Sequence, residues 1–265
     1  MSTTQTLATL IKGISTQHVY AFFLVLGRIS PLFLVAPAFS SQMLIPRVRS
    51  VIAVALAIGL TGIADHGQTL PTGVLELFGL LIENFLVGFA LAYTLSCVFA
   101  SVQAAGVFAD AFSGFSIGQT VDPINGNPGG SLTNLYSVFG LVIFLIIGGD
   151  AWTLRGITAT LRAVPIGDAV SLKPLAYQAE SAFASVFIGA VEIAAPLMLA
   201  LIVSDIAFGM VAKVVPELNV FSVGIPMKIG VALLVVAASL PFLASWMTGQ
   251  LTGSVTSALQ ALKIA

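Results

Sequence analysis

The chain has 265 residues and a formal net charge of −1; 58% of its residues are hydrophobic and only 8% are charged. Soluble domains average about 25% charged residues, so this composition excludes a soluble globular protein and predicts a membrane protein. The near-neutral charge gives no reason to expect nucleic-acid binding, and the single cysteine, Cys97, permits no intramolecular disulfide.

Six apolar segments follow one another near residues 19–37, 48–64, 73–112, 132–149, 183–212 and 227–248. The first imitates a signal peptide, but Arg28 and Pro31 interrupt it and equally apolar segments follow, so we interpret it as an uncleaved membrane helix. Crossing a bilayer takes about 20 helical residues, which every segment but the third fits. The third would form a helix of about 60 Å, so it must fold back as a hairpin or project beyond the lipid. We predict an all-α integral membrane protein of long helical hairpins, a single domain over residues 1–265 with about six hydrophobic helices.

Two stretches between these segments are polar. The loop 116–131 is dense in Gly, Pro, Asn and Asp, which are turn formers that interrupt a helix. Residues 150–182 carry charges and prolines and are expected to form a bent connection at or outside the membrane surface.

Small side chains recur every four residues within the third segment. Because a spacing of four drifts only about 40° per step around a helix, these residues form one ridge. Small ridges let helices approach closely, which favours association in lipid. The ridge is expected to pack either inside a hairpin or against another subunit; its members are Gly88, Ala92, Ser96, Ala100 and Ala104.

Several charges lie within or beside the apolar segments, where they are costly and have a purpose as a rule. Glu76 and Glu83 share one helix face because they are seven residues apart. The carboxylates are expected either to relay protons or ions, or to pair with basic residues at helix interfaces, and the absence of a transporter-like pattern of helix breaks favours pairing. The predicted buried charges are Arg28, Glu76, Glu83, Glu192, Asp205, Lys213 and Lys228.

Enzyme signatures are missing from the sequence. The glycines near residues 114–118 lack the Gly-Lys-Ser/Thr ending of a phosphate-binding loop. His18 and His66 have no neighbouring residues of metal-ligand type, and no Ser or Cys lies in a recognisable nucleophile motif. We therefore expect neither a catalytic activity nor a cofactor or metal.

Several blocks resemble, in order, the FliR/SctT family of type III export-gate proteins. They are RISPLFLVAPAF at 28–39, IPRVRSVIAVALA at 45–57, QAAGVFADAFSGFSIGQTVDP at 103–123, LRAVPIGDA at 161–169 and DIAFGMVAKVVPELNVFSVGIPMKIGVAL at 205–233. Each block is weak alone, but together they span nearly the whole chain. The chain departs from the family in Asp150, where a histidine or similar polar residue is common, and in the GNPGG end of the central loop.

The resemblance implies a subunit of the flagellar export gate in the bacterial inner membrane and the flagellar basal body. Such proteins assemble with FliP and FliQ around a pore for unfolded flagellar proteins, beside FlhA and FlhB, with membrane lipid around the assembly. The last block looks more flagellar than injectisome-like.

In this family the loop after the long helix contributes a plug to the pore. The residues that correspond by position are Phe115, Ile117, Val121, Asp122, Pro123, Asn125 and Gly126, and apolar tips suit a seal that excludes water. An ordinary connecting turn is the alternative.

The sequence PELNVFSVGIPMK is expected to form a packing turn at a subunit interface, or a hairpin within the chain. Pro216 and Pro226 are expected to end the flanking helices, Gly224 to permit a tight bend and Phe221 to anchor the turn, which also contains Asn219. Asp205 and Lys228 are placed to pair across it.

Two other functions stay open at this point. One is an ion- or proton-coupled transporter that uses Glu76, Glu83, Glu192 and Asp205. The other is a structural membrane scaffold that never opens a pore.

Overall fold

The computed structural model describes residues 16–40, 45–64, 73–115, 130–168, 170–215 and 220–263. Within these ranges all regular structure is helical, which confirms the predicted all-α class. The helices are α1 Thr16–Val35, α2 Pro37–Ser40, α3 Pro46–Ala64, α4 Val74–Ser113, α5 Ser131–Ile146, α6 Gly149–Ala163, α7 Leu172–Val214 and α8 Val220–Lys263.

Five helices, α1, α3, α4, α7 and α8, are long and apolar enough to cross a membrane, and α5 with α6 together make a broken sixth candidate. This agrees with the six predicted hydrophobic segments. The break between α5 and α6 falls at Gly148, whose φ of +71° is a conformation that side-chain-bearing residues rarely adopt. Helix α6 and the first turns of α7 lie within the polar stretch 150–182, so part of that stretch is helical.

The third apolar segment forms one uninterrupted helix. Helix α4 has 40 residues, about 60 Å at 1.5 Å per residue, which is twice the hydrocarbon thickness of a bilayer. Of the two outcomes that the sequence left open for this segment, the internal hairpin is absent: residues 74 to 113 do not fold back.

The expectation that Pro226 ends a helix and that Gly224 forms a bend is wrong. Helix α8 begins at Val220 and contains both Gly224 and Pro226. Proline lacks one backbone donor, but a helix can continue through it when the other backbone groups stay paired. An apolar helix favours continued pairing because lipid offers its backbone groups no other hydrogen-bond partner. The connection between α7 and α8 therefore lies before Val220.

The chain groups into two compact units. Unit 1 comprises Met1–Ser96, Asp150–Glu180 and Gly253–Ala265. In unit 1, α3 packs against α1, and a small core joins Val87 and Ala90 of α4 to Val164 and to Leu175 of α7. This core puts the segment that follows α6 against the first half of α4.

Unit 2 comprises Cys97–Gly149 and Ser181–Thr252. Here α5 packs on the second half of α4: the rings of Phe99 and Phe144 lie 5.3 Å apart between centroids. A side chain at Gly106 would overlap the backbone of Thr133. Position 106 therefore requires glycine, because the backbones of α4 and α5 are in contact there.

Candidate functional site

A buried arginine holds the end of α6 in unit 1. Arg28 of α1 is only 1% exposed, and its Nη1 donates hydrogen bonds to the carbonyl oxygens of Thr160 at 3.1 Å and Val164 at 2.7 Å. Thr160 lies in the last turn of α6 and Val164 directly follows the helix, so both carbonyls lie at the negative end of the helix dipole. The charge of Arg28 is therefore met by a helix end, whereas the sequence favoured a carboxylate partner.

Helix α4 contributes a second polar contact to the same segment. Asn84 donates from Nδ2 to the carbonyl of Ile166 at 3.0 Å and to that of Leu80, four residues earlier in α4, at 2.8 Å. One helical turn further on, Gly88 lies against Arg28, and a β-carbon there would overlap the Arg28 carbonyl oxygen. We call Arg28, Asn84 and the carbonyls of Thr160, Val164 and Ile166 the arginine node.

The arginine node fixes the position of the segment around Val164 and Ile166 in the LRAVPIGDA block, which no regular helix holds in place. A helix end has carbonyls without intrahelical partners, and burying them unpaired is unfavourable. The Thr160 carbonyl also accepts a hydrogen bond from the Val164 N–H, whereas Arg28 and Asn84 supply donors from two other helices to the carbonyls of Val164 and Ile166. Helices α1 and α4 and the segment at the end of α6 are therefore joined by hydrogen bonds as well as by apolar packing.

In unit 2, Asp110 caps a helix to which it does not belong. Its carboxylate accepts hydrogen bonds from the backbone N–H of Leu132 at 2.9 Å, and from the N–H and the Oγ1 of Thr133 at 2.8 and 2.6 Å. The residue before α5, Gly130, has no side chain with which to cap the helix, and a β-carbon there would overlap the Asp110 carboxylate.

Asp110 thereby ties the last turns of α4 to the first turn of α5, on either side of residues 116–129. Sequence reasoning missed this role, although one signal was available. An acidic residue near the C-terminal end of an apolar helix opposes the helix dipole, so Asp110 needs a partner elsewhere in the fold.

Two predicted charges form an ion pair. Lys228 Nζ lies 2.7 Å from Asp205 Oδ1 and 3.0 Å from Oδ2, as expected from their positions on either side of the α7–α8 connection. The Asp205 side chain is 51% exposed in the isolated chain, so the pair lies at its surface.

The other predicted charges differ in their surroundings. Glu192 accepts a hydrogen bond from the Trp246 indole at 2.8 Å. Glu83 keeps one oxygen buried without a partner among the described residues, while Glu76 and Lys213 are exposed on the isolated chain. Within the described ranges, no group of three or more His, Cys, Asp or Glu residues is arranged to hold a metal ion.

The ridge of small residues divides between the two units. Gly88 and Ala92 are buried in unit 1, where Ser96 is half-buried; Ala100 and Ala104 are half-buried in unit 2. The close backbone contact in unit 2 occurs instead at Gly106, 18 residues or five helical turns after Gly88 and hence on the same face of α4.

Most of the predicted plug and part of the predicted interface turn lie outside the described residues. Phe115 follows the end of α4 and is half-buried, but Ile117, Val121, Asp122, Pro123, Asn125 and Gly126 are not described. Neither are Pro216, Asn219 or the side chain of Phe221.

The described helices define the class: an all-α membrane protein. Its longest helices are longer than a bilayer is thick, and its buried polar side chains form hydrogen bonds with backbone groups at helix ends. Residues 19–253 match the bacterial export proteins, family 1. The chain belongs to this family, which confirms the resemblance found in the sequence and, with it, the expected export-gate role.

Three individual relatives align with this chain over most of its length and most of their own. The flagellar biosynthetic protein FliR of Bacillus subtilis is 32% identical over 229 residues, 84% of this chain and 87% of the relative. FliR of Escherichia coli K12 is 25% identical over 228 residues, 84% and 85%. The surface presentation of antigens protein SpaR of Shigella flexneri is 27% identical over 224 residues, 83% and 85%.

Proposed function

We propose that this chain is one subunit of a hetero-oligomeric type III export gate in the bacterial inner membrane, where it assembles with FliP- and FliQ-type subunits beside FlhA and FlhB. The observation that carries the proposal is the length of the exposed apolar surface on α7. As a structural component of an export apparatus, the chain is expected to have no catalytic activity of its own.

Lipid alone is too thin to cover α7. Exposed apolar side chains run from Phe183, which is 56% exposed, to Val214, which is 79% exposed. These residues are about 47 Å apart along the helix axis at 1.5 Å per residue, against a hydrocarbon core of about 30 Å. A tilt of about 40°, the upper end of the usual range, still leaves about 36 Å. The remaining apolar surface needs protein to cover it.

Helix α4 contributes less to this reasoning. Its exposed large apolar residues run from Val74 to Phe89, about 22 Å along the axis, and the next one is Val107. Contiguous apolar surface outside lipid, as on α7, marks an interaction site. Helix α3 is different, because its 19 residues span only about 28 Å and fit one bilayer.

A flagellar rather than an injectisome gate is the version we favour. Sequence identity alone does not separate the two, because the relatives named FliR are 32% and 25% identical in Bacillus subtilis and Escherichia coli, and SpaR of Shigella flexneri is 27% identical. The last sequence block, which looks flagellar, is what favours the flagellar version. The flagellar basal body is accordingly the proposed site of assembly, and unfolded flagellar proteins are the proposed cargo.

Native mass spectrometry of the tagged full-length chain, extracted gently from its own cells, tests the assembly. We expect one copy bound to several copies of FliP-like and FliQ-like proteins. A monomer or a pure homo-oligomer after gentle extraction would contradict the proposal and direct attention to the carboxylates as a transport pathway.

Matched variants test whether α7 is the surface that partners cover. Replacing Ile188, Ile202 and Ile206 of α7 by alanine is expected to release partner subunits. The same exchange at Ile52, Ile58 and Ile63 of α3 is the control, because those residues are likewise exposed but lie on a helix that lipid can cover. Equal loss of partners from both triple variants would contradict the reasoning from helix length.

We also propose that residues 115–126 contribute a plug to the pore, a role supported by the family resemblance and by the helix ends that Asp110 ties together. Deleting residues 116–126 should leave assembly intact and make the resting gate leak ions. Unchanged conductance in planar bilayers, with the complex still assembled, would point instead to a scaffold that never opens a pore.

A further inference from the structure

The arginine node contains polar atoms that its own hydrogen bonds leave unsatisfied. Arg28 Nε and Nη2 have no hydrogen-bond partner among the described residues, and neither does Asn84 Oδ1. Both residues are 1% exposed, so bulk water does not reach them. Unpaired polar groups at such depth are costly, and native proteins rarely keep them without a ligand or a water molecule.

The side chains that carry these donors and this acceptor bind neighbouring carbonyls in unit 1. Arg28 and Asn84 bind the carbonyls of Val164 and Ile166, which are two residues apart. Asn84 also precedes Gly88 by one helical turn, on nearly the same face of α4, and Gly88 packs on the backbone of Arg28. The Nε and Nη2 hydrogens project from one edge of the rigid guanidinium group, so a single oxygen atom can accept both.

We propose that a buried water molecule occupies the arginine node. The water accepts hydrogen bonds from Arg28 Nε and Nη2 and donates one to Asn84 Oδ1, which gives it the three hydrogen bonds that buried waters make on average. The inference does not depend on the proposed export role.

Charge and hydrogen bonding favour water over an inorganic anion such as chloride. The guanidinium charge already faces two carbonyls at the negative end of α6. An anion would satisfy Arg28 but would be repelled by Asn84 Oδ1, since it cannot donate a hydrogen bond. Water does both.

Solid-state NMR of the full-length chain in lipid bilayers tests the site through magnetisation transfer from water. Labelling glycine with ¹³C at the carbonyl and arginine uniformly with ¹³C and ¹⁵N identifies the Arg28 backbone nitrogen and, through its side-chain carbons, its guanidinium group, because Gly27–Arg28 is the single Gly-Arg pair in the sequence. We expect the Arg28 side chain to receive water magnetisation at a rate comparable to that of exposed Arg155. The methyl groups of Leu24, buried in the same helix, serve as the dry reference.

The variant Asn84→Leu removes the acceptor and is expected to slow the transfer to Arg28 several-fold while leaving Arg155 unchanged. Asn134→Leu, the same exchange at an exposed position of α5, is the control and should leave Arg28 unaffected.

Three results would overturn the proposal. They are an Arg28 side chain as dry as Leu24, an unchanged transfer rate in a folded Asn84→Leu variant, and Arg28 resonances that move when chloride is replaced by gluconate. The last would identify an anion. If Asn84→Leu does not fold, water transfer and chloride independence in the unmodified protein still decide the question.

Discussion

Two glycines of α4 predict opposite responses to the same substitution. At Gly79 a β-carbon would meet no atom within 4 Å apart from its chain neighbours and the surrounding backbone of its own helix. At Gly88 it would overlap the carbonyl oxygen of Arg28, a backbone atom that cannot rotate away. Both residues lie within one uninterrupted helix, so the intrinsic effect of replacing glycine by alanine is the same at each position.

The magnitudes follow from that difference. Alanine in a helix interior is favoured over glycine by about 0.5–1 kcal/mol, so Gly79→Ala should stabilise by that amount. Gly88→Ala has the same gain but must push α1 from α4, and overpacking of this kind costs about 1–3 kcal/mol or more. The two variants should therefore differ by about 1–3 kcal/mol, with Gly88→Ala the less stable one.

Thermal unfolding of the purified chain in one detergent, followed by circular dichroism, measures this difference. For a protein of this size about 1 kcal/mol shifts the midpoint by about 2–4 °C. Gly79→Ala is expected to unfold at a higher temperature than the unmodified chain, and Gly88→Ala several degrees below Gly79→Ala. Equal midpoints for the two variants would refute the close contact between α1 and α4 from which the arginine node is built.

Asp110→Asn should destabilise the chain by about 2–4 kcal/mol in the same assay, since an amide group replaces one of two oxygens that face donors; a change below about 0.5 kcal/mol would contradict the capping role. Lys228→Met should cost less than about 1 kcal/mol in the isolated chain, because its partner Asp205 is half-exposed. A larger loss measured in the assembled complex alone would show that a partner buries this pair. Trp246→Phe should cost about 0.5–1.5 kcal/mol through the lost hydrogen bond to Glu192, and Glu192→Gln less, because it keeps an acceptor oxygen; the reverse order in thermal unfolding would contradict that bond.

The sequence predicted the helices well because their cause is local. In lipid every backbone group must be paired within its own helix, so apolar composition over some 20 residues is enough to indicate a span. The segment predicted at 48–64 is observed as Pro46–Ala64, and that at 73–112 as Val74–Ser113. The family also followed from sequence alone, because five short blocks kept their order over most of the chain.

Helix ends were predicted less well, since proline and glycine act differently in different surroundings. Pro226 and Gly224 are strong turn signals in isolation, yet both lie inside α8. The gain from continuing an apolar helix outweighs one missing hydrogen bond, and that balance depends on length and environment rather than on the two residues themselves.

Only the tertiary structure decided where the buried polar groups find partners. The sequence marked Arg28 as costly but favoured a carboxylate partner, whereas its partners are carbonyls 132 and 136 residues away. Asp110 attracted no prediction, although it caps a helix 22 residues further on. Composition and spacing determined which residues form helices and which charges need compensation. Which groups supply that compensation depends on how distant helices pack, and no local pattern in the chain encodes that contact.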